Sequence, residues 1–350
     1  MHEVFEKYSA DPRMLLAGAP PSKLGITPDV AKCYLYAKDQ ILSSDWHWLK
    51  YHYSTFPPLQ TTLEIAEICV LAEYCETGLG KAYVDGIAAI KDREKNERDY
   101  EAILQIFSEM LVLDQVLQMP WADDVEFSYE PAGKTDQRPE LRVVSEGKRY
   151  LFEVKAPSLL DHVRKRQEVG WQIPGKILPK EGIQAISRGE PIVLPRDNPV
   201  KDFLNSAEKK FSDFDEEDGA NILVIVWDDY VYEPITSLAN EHTGLLTTNT
   251  FYRDDAGKPI NHPSVDAVII VRHLTYFFEG LAERPLPDRR GAFDFGSPDD
   301  LPNISVQSPW GRPVPSLVSD GLRAVDVKDD RIQHFAEYKP IEIVMWLGQQ

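Results

Sequence analysis

The chain has 350 residues, with 38 Lys and Arg against 57 Asp and Glu and a formal charge of −19. Hydrophobic residues make up 43% and charged residues 27%, the mix of an ordinary folded protein, which excludes disorder along the whole chain and allows two or three domains. Only Cys33, Cys69 and Cys75 are present, with no C-x-x-C pair, which excludes a disulfide scaffold. The stretch MHEVFEKYSADPR carries no apolar signal segment and no run of about 18 apolar residues occurs, so the expectation is a cytoplasmic protein with reduced thiols and no membrane span.

Residues 1 to about 118 read as helical. Leu24 to Leu49 predicts a helix pair opened by Thr27-Pro28-Asp29, with Thr27 as cap and Pro28 at the first helical position. A second helix is expected from Thr61 to Glu76, with a capping-box-like start and a stop at Gly78. A third, about Asp99 to Leu117, carries Ile103, Leu104, Phe107, Met110, Leu111 and Leu117 at helical spacing. Between them, Lys91 to Tyr100 is nearly all charged and reads as an exposed helix or a hinge. From Ala122 the period changes to two. Val125 to Tyr129, Leu141 to Val144 and Tyr150 to Val154 are expected strands, the last two a hairpin around Gly147. A polar, basic, Pro-containing stretch runs to about Pro199, followed by a helix from Val200 to Phe214 and an acidic loop over Asp213 to Asp218. Ile222 to Trp227 and Val265 to Val271 are unbroken apolar runs, the pattern of strands covered on both faces. Pro285 to Pro315 reads as irregular, and Ile341 to Leu347 as a closing strand or short helix. The order is that of a mixed α/β sheet domain behind a helical N-terminal region.

The chemistry concentrates in the hairpin. With its centre between Glu146 and Gly147, Val143 faces Tyr150, Leu141 faces Phe152 and Glu140 faces Glu153. Opposed residues share a face, and Lys155, two residues past Glu153, shares it too. Leu141, Val143, Tyr150, Phe152 and Val154 fall on the other face, suited to a core. Two opposed carboxylates repel unless a cation lies between them. Mg²⁺ prefers a few carboxylate oxygens and completes its shell with water and phosphate, and it can activate a water for attack on phosphorus.

Pro139-Glu140, followed after twelve residues by Glu153-Val154-Lys155, resembles the motif of the PD-(D/E)xK, or restriction-endonuclease-like, nuclease superfamily. Its core order of helix, three strands, helix, strand matches about Asp99 to Asp229 here. Glu140 stands where that family most often has Asp. The resemblance implies that Glu140, Glu153 and the backbone carbonyl of Val154 hold Mg²⁺ or Mn²⁺ and that Lys155 is the catalytic lysine. It also implies a glutamate from the first core helix, Glu101 or Glu109, with Glu101 preferred for its N-terminal position, and a basic residue from the second core helix, Lys209 or Lys210, near phosphate. The expected fold is thus a restriction-endonuclease-like mixed sheet core flanked by helices, with residues 1–98 as the helical N-terminal region, 99–280 as the core with an insertion at about 158–199, and 281–350 as an irregular C-terminal extension. The implied activity is a metal-dependent endonuclease acting on DNA, less favoured on RNA, with a role in prokaryotic defence suggested by analogy alone. A protein partner or homo-oligomer fits the size.

Residues 138–188 carry eleven Lys or Arg against six acids, a local basic region in an acidic chain. Within it, Arg164-Lys165-Arg166 with Trp171 nearby could grip a nucleic-acid strand through phosphate contacts and stacking, or simply form an exposed basic helix. Gly78-Leu79-Gly80-Lys81 lacks the first glycine and the final Ser or Thr of a P-loop and reads as a helix stop. His47 and His52 are five apart and do not share a helix face as a zinc pair would. Asp228-Asp229 reads as a strand end, and Arg272 and His273 as core or surface residues. Two other classes are open. One is a catalytically idle nuclease-like module that binds nucleic acid or a protein. The other is a purely structural helical-plus-sheet interaction protein, favoured if the hairpin register differs from the one above.

Overall fold

The computed structural model describes residues 1–8, 27–91, 96–134, 137–160, 185, 199–214, 218–250, 252–286 and 288–340. The Arg164-Lys165-Arg166 cluster, most of the expected insertion and the expected element at 341–347 lie outside the described residues. In chain order the helices are α1 (Pro28–Leu42), α2 (Lys50–Ser54), α3 (Gln60–Cys75), α4 (Leu79–Ala89), α5 (Glu97–Leu117), α6 (Pro199–Phe211), α7 (Tyr232–Ala239), α8 (Leu274–Leu281) and α9 (Ser316–Gly321). The strands are β1 (Glu126–Tyr129), β2 (Leu141–Ser145), β3 (Lys148–Lys155), β4 (Gly219–Trp227), β5 (Ala267–Arg272), β6 (Asn303–Gln307) and β7 (Ala324–Asp326).

The chain forms two compact units: Met1–Pro120 with Phe127–Tyr129 and His273–Asp300, and Trp121–Glu126 with Glu130–Arg272 and Leu301–Gln350. The chain thus divides elsewhere than at residues 98 and 280, and α5 belongs with the N-terminal helices. The C-terminal part is also more regular than expected. β6 and β7 lie within a stretch whose Pro, Gly and Asp content masks the alternation of Ile304 and Val306 with polar neighbours.

The helical unit follows many of its local signals, but among the described residues the helix pair expected over Leu24–Leu49 is the single helix α1, which ends at Leu42, and α2 starts only at Lys50. Thr27 caps α1, its Oγ1 accepting the Val30 N–H at 3.3 Å, with Pro28 in the first turn. Asn96 caps α5 by accepting from Asp99 N at 2.8 Å. No side-chain cap opens α3; Thr62 instead donates to the Leu59 carbonyl, so the capping box expected there does not form. Gly78, at φ 95°, separates α3 from α4, a helix the sequence pattern did not reveal. His47 and His52 are buried, each with a ring nitrogen against a backbone carbonyl, Ile87 and Leu281 respectively, and burial lowers both pKa values.

The strands form one seven-stranded sheet in the order β1-β2-β3-β4-β5-β6-β7. β2 and β3 run antiparallel, β3, β4 and β5 run parallel, β6 is antiparallel to β5, and β7 is parallel to β6. The β2–β3 register is the one the hairpin arithmetic predicts, Leu141 opposite Phe152 and Val143 opposite Tyr150. Glu146 (φ 52°) and Gly147 (φ 70°) are both left-handed, the requirement of a two-residue type I′ turn, whose twist suits the flanking strands. Ile222 to Trp227 and Ala267 to Ile270 are wholly buried, as expected for central parallel strands. The mouth of β4 is tight. A Cβ on Gly219 would fall 1.6 Å from the Arg149 carbonyl oxygen, so only glycine fits.

Helix α6 is the crossover element between β3 and β4. Val200, Leu204, Ala207 and Phe211 recur every three or four residues and form its buried stripe. Two polar side chains on its flank fix its rotation. Glu208 accepts from Ser264 N and Oγ, both at 2.9 Å, and Asn205 Oδ1 contacts His262 Nε2 at 3.1 Å. Lys210 flanks the apolar stripe and is partly buried, whereas Lys209 points to solvent.

Two outcomes follow. Glu146→Gly relieves a left-handed conformation that costs a Cβ-bearing residue about 1 kcal/mol, so it raises the midpoint of urea denaturation with an unchanged slope. Burial lowers the His262 pKa to about 4, so the unfolded chain binds its proton first. Stability contributed by neutral His262 is full above about pH 6.5 and is lost as pH falls toward 4, and His262→Gln flattens the pH dependence of thermal unfolding across that window.

Candidate active site

The site assembles at the carboxyl end of β3, where parallel strands of α/β sheets commonly present ligand-binding groups. Glu153 is buried on both sides of its strand, with β2 and β4 as neighbours, and its side chain is 0% exposed. β2 ends its pairing at Leu141–Phe152, while the β4 pairing continues to Lys155–Ile225. Glu140 sits at this step, one residue before β2, and its carbonyl accepts the Glu130 N–H at 3.0 Å.

Four charged side chains meet there. Lys155 Nζ lies 2.7 Å from Glu153 Oε1. Lys210 Nζ, arriving from α6, lies 2.7 Å from Glu153 Oε1, 2.8 Å from Oε2 and 3.5 Å from Glu140 Oε1. Both carboxylates are therefore directed to one point on one face of the sheet. Glu140, Lys210 and Lys155 keep 15%, 17% and 21% of their side-chain surface exposed, so the cluster opens to solvent away from Glu153. Burial works against the Lys210 ammonium, but the charges of Glu153 and Glu140 and the hydrogen bonds to them outweigh it, and its pKa is raised from the ordinary lysine value.

Of the residues expected at the site, Glu140, Glu153, Lys155 and Lys210 come together. Lys209 lies on the exposed side of α6. Val154 is buried with its side chain on the opposite face, so only its backbone could serve the cluster. Glu101 and Glu109 are on α5 in the helical unit, where Glu109 accepts from Gln105 Nε2 at 2.8 Å, and the four-residue cluster forms wholly within the sheet unit. Arg142, two residues from Glu140 on β2, shares the cluster's face by simple alternation, a signal the hairpin already contained. At the ends of β4 and β5, Asp228 accepts from Tyr230 N at 3.1 Å in a turn, and Arg272 pairs with Asp229 at 2.9 Å and with Glu337 at 3.6 Å.

The donor set suits a hard divalent cation. Two carboxylates converge within a few ångströms, and Mg²⁺ needs only one or two, since water and phosphate complete its shell. Among the described residues, no three His, Cys, Asp or Glu side chains gather into a metal-binding group, so a many-ligand zinc- or calcium-type cage has no support there.

A buried carboxylate with two counter-ions is a coupled unit. Lys155→Ala or Lys210→Ala alone leaves Glu153 one ammonium, whereas the double variant leaves its charge without either. The double variant therefore loses more stability in urea than the two single losses combined, by about 3 kcal/mol in total or more.

No family model matches this chain, and no curated protein and no solved structure matches it.

Proposed function

We propose that this chain is a divalent-cation-dependent endonuclease of the PD-(D/E)xK, restriction-endonuclease-like kind, hydrolysing phosphodiester bonds of DNA in preference to RNA. The observation that carries this reading is the convergence of the Glu140 and Glu153 carboxylates on one point, with Lys155 held 2.7 Å from Glu153 at the carboxyl end of β3. The chain order β1, β2, β3, α6, β4 supports it, since it matches that superfamily's three strands, helix, strand.

Mg²⁺ or Mn²⁺ held by Glu140, Glu153 and the Val154 carbonyl would supply an activated water and offset charge on the phosphoryl group. Lys155 is ion-paired with Glu153 and partly exposed, so its N–H groups can hold and orient a water or meet a phosphate oxygen. Lys210 adds a second ammonium on the same side for a phosphate oxygen. Glu153 is itself sealed from bulk water, which strengthens its pairing with Lys155 and Lys210. One observation favours a second reading, that of a nuclease-like module that binds nucleic acid without cutting. Two carboxylates and two ammonium groups already balance, so the cluster is electrically satisfied with protein groups alone.

Incubation with plasmid, linear duplex and single-stranded DNA, with Mg²⁺ or Mn²⁺ and with EDTA, separates the two. The enzyme reading expects cation-dependent cleavage that falls by about 100-fold or more in Glu153→Ala and in Lys155→Ala. Binding without cleavage, unchanged in both variants, supports the idle module instead.

A further inference from the structure

The point on which Glu140 and Glu153 converge is held by Lys210. Its ammonium touches both oxygens of Glu153 and lies 3.5 Å from Glu140, whereas among the described residues Lys155 pairs with Glu153 Oε1 and not with Glu140. A divalent cation bridging the same carboxylates needs their oxygens within about 2.1 Å for Mg²⁺, which is the space the ammonium fills. Two positive centres cannot share it. Resting on the nuclease reading, the geometry points to Lys210 as a resident cation of the site, an internal competitor that must swing out before a metal ion enters.

The fold permits that swing without moving the helix. α6 is held by its apolar stripe and by Asn205 and Glu208 against the segment preceding β5, none of which involves Lys210. The lysine stem is long and rotatable, and the side chain reaches solvent. Charge also decides when the swing is favourable. With Lys210 in place, the two carboxylates and two ammonium groups sum to zero. With Lys210 swung out, a divalent ion entering alone leaves the carboxylates, Lys155 and the ion with one excess positive charge, whereas entry together with a phosphodiester brings that sum to zero and gives the displaced ammonium a phosphate oxygen to bind. Metal and substrate therefore enter cooperatively, and the carboxylate pair stays closed to metal in their absence.

The test uses the full chain and Mn²⁺ alone, titrated calorimetrically, with no nucleic acid and no turnover. Lys210→Met and Lys210→Gln should bind Mn²⁺ at least ten-fold tighter than the unaltered protein. Lys155→Met, which removes the same charge from the cluster, should gain no more than about three-fold by charge alone. Glu153→Gln should abolish binding. Lys210→Gln keeps a hydrogen-bond donor toward Glu153, and Lys155 still pairs with it, so folding is protected. In the unaltered protein, the side-chain ammonium resonance of Lys210 should shift as Mg²⁺ saturates the site. Lys210 variants that bind Mn²⁺ no tighter than the unaltered chain, a gain equal to that of Lys155→Met, or a Lys210 resonance that stays put while metal binds overturns the competitor, and cation-dependent cleavage that persists alongside leaves the nuclease reading standing. Absence of Mn²⁺ binding in the unaltered chain and in both Lys210 variants overturns the two together.

Discussion

A carboxylate sealed from water inside a sheet dictates the surroundings it needs. Glu153 occupies a strand with neighbours on both sides, in a position where Val, Leu or Ile would be the ordinary choice. Removing its charge from water carries a cost of several kcal/mol, which partners must offset. Lys155 supplies one, two residues along the same face. Lys210 supplies the other only because α6 is set at one rotation, with Val200, Leu204, Ala207 and Phe211 toward the core and Asn205 and Glu208 pinned to Ser264 and His262. The crossover helix, the segment preceding β5 and the hairpin register are thus all drawn into the placement of one side chain.

Much of this was legible in residue order because it depends on short-range rules. The sheet half of the cluster follows from a two-residue turn at Glu146-Gly147 and from alternation, and both hold in the structure. The presence of α5, α6 and β4 follows from periodicity, but their ends do not: α5 begins at Glu97 rather than Asp99, α6 ends at Phe211 rather than Phe214, and β4 begins at Gly219 rather than Ile222. The rest depended on long-range partners. The choice between Lys209 and Lys210 needed the direction of α6's apolar stripe relative to the sheet. The grouping of α5 with the N-terminal helices is a tertiary matter that its own periodicity does not encode. β6 and β7 were hidden because five and three residues give too little alternation to stand out among prolines and aspartates. Thr61, the threonine of the expected capping box, lies inside the first turn because α3 starts at Gln60 after Leu59, so it cannot act as the cap.

The net charge of −19 takes on a different sense beside this cluster. An acidic surface repels polyanions at a distance, yet the cluster itself is neutral, with Arg142 on the same face. Approach of a nucleic acid would therefore be governed by short-range fit and by cations that screen the acidic surface rather than by long-range attraction, so added salt would ease the approach, the opposite sign from a basic protein.

The type I′ turn between β2 and β3 has a consequence for how such a chain can vary over evolutionary time. Because the turn has only two residues and both are left-handed, loop length and strand register are one variable. Gaining or losing a single residue there would turn Glu140 toward the core and Leu141 toward the cluster, so the hairpin is intolerant of odd-numbered length changes at its tip. Two-residue changes centred on the tip only lengthen the hairpin and leave Glu140 opposite Glu153. Relatives that keep the acidic pair should therefore vary this turn by even steps, even where its residues differ.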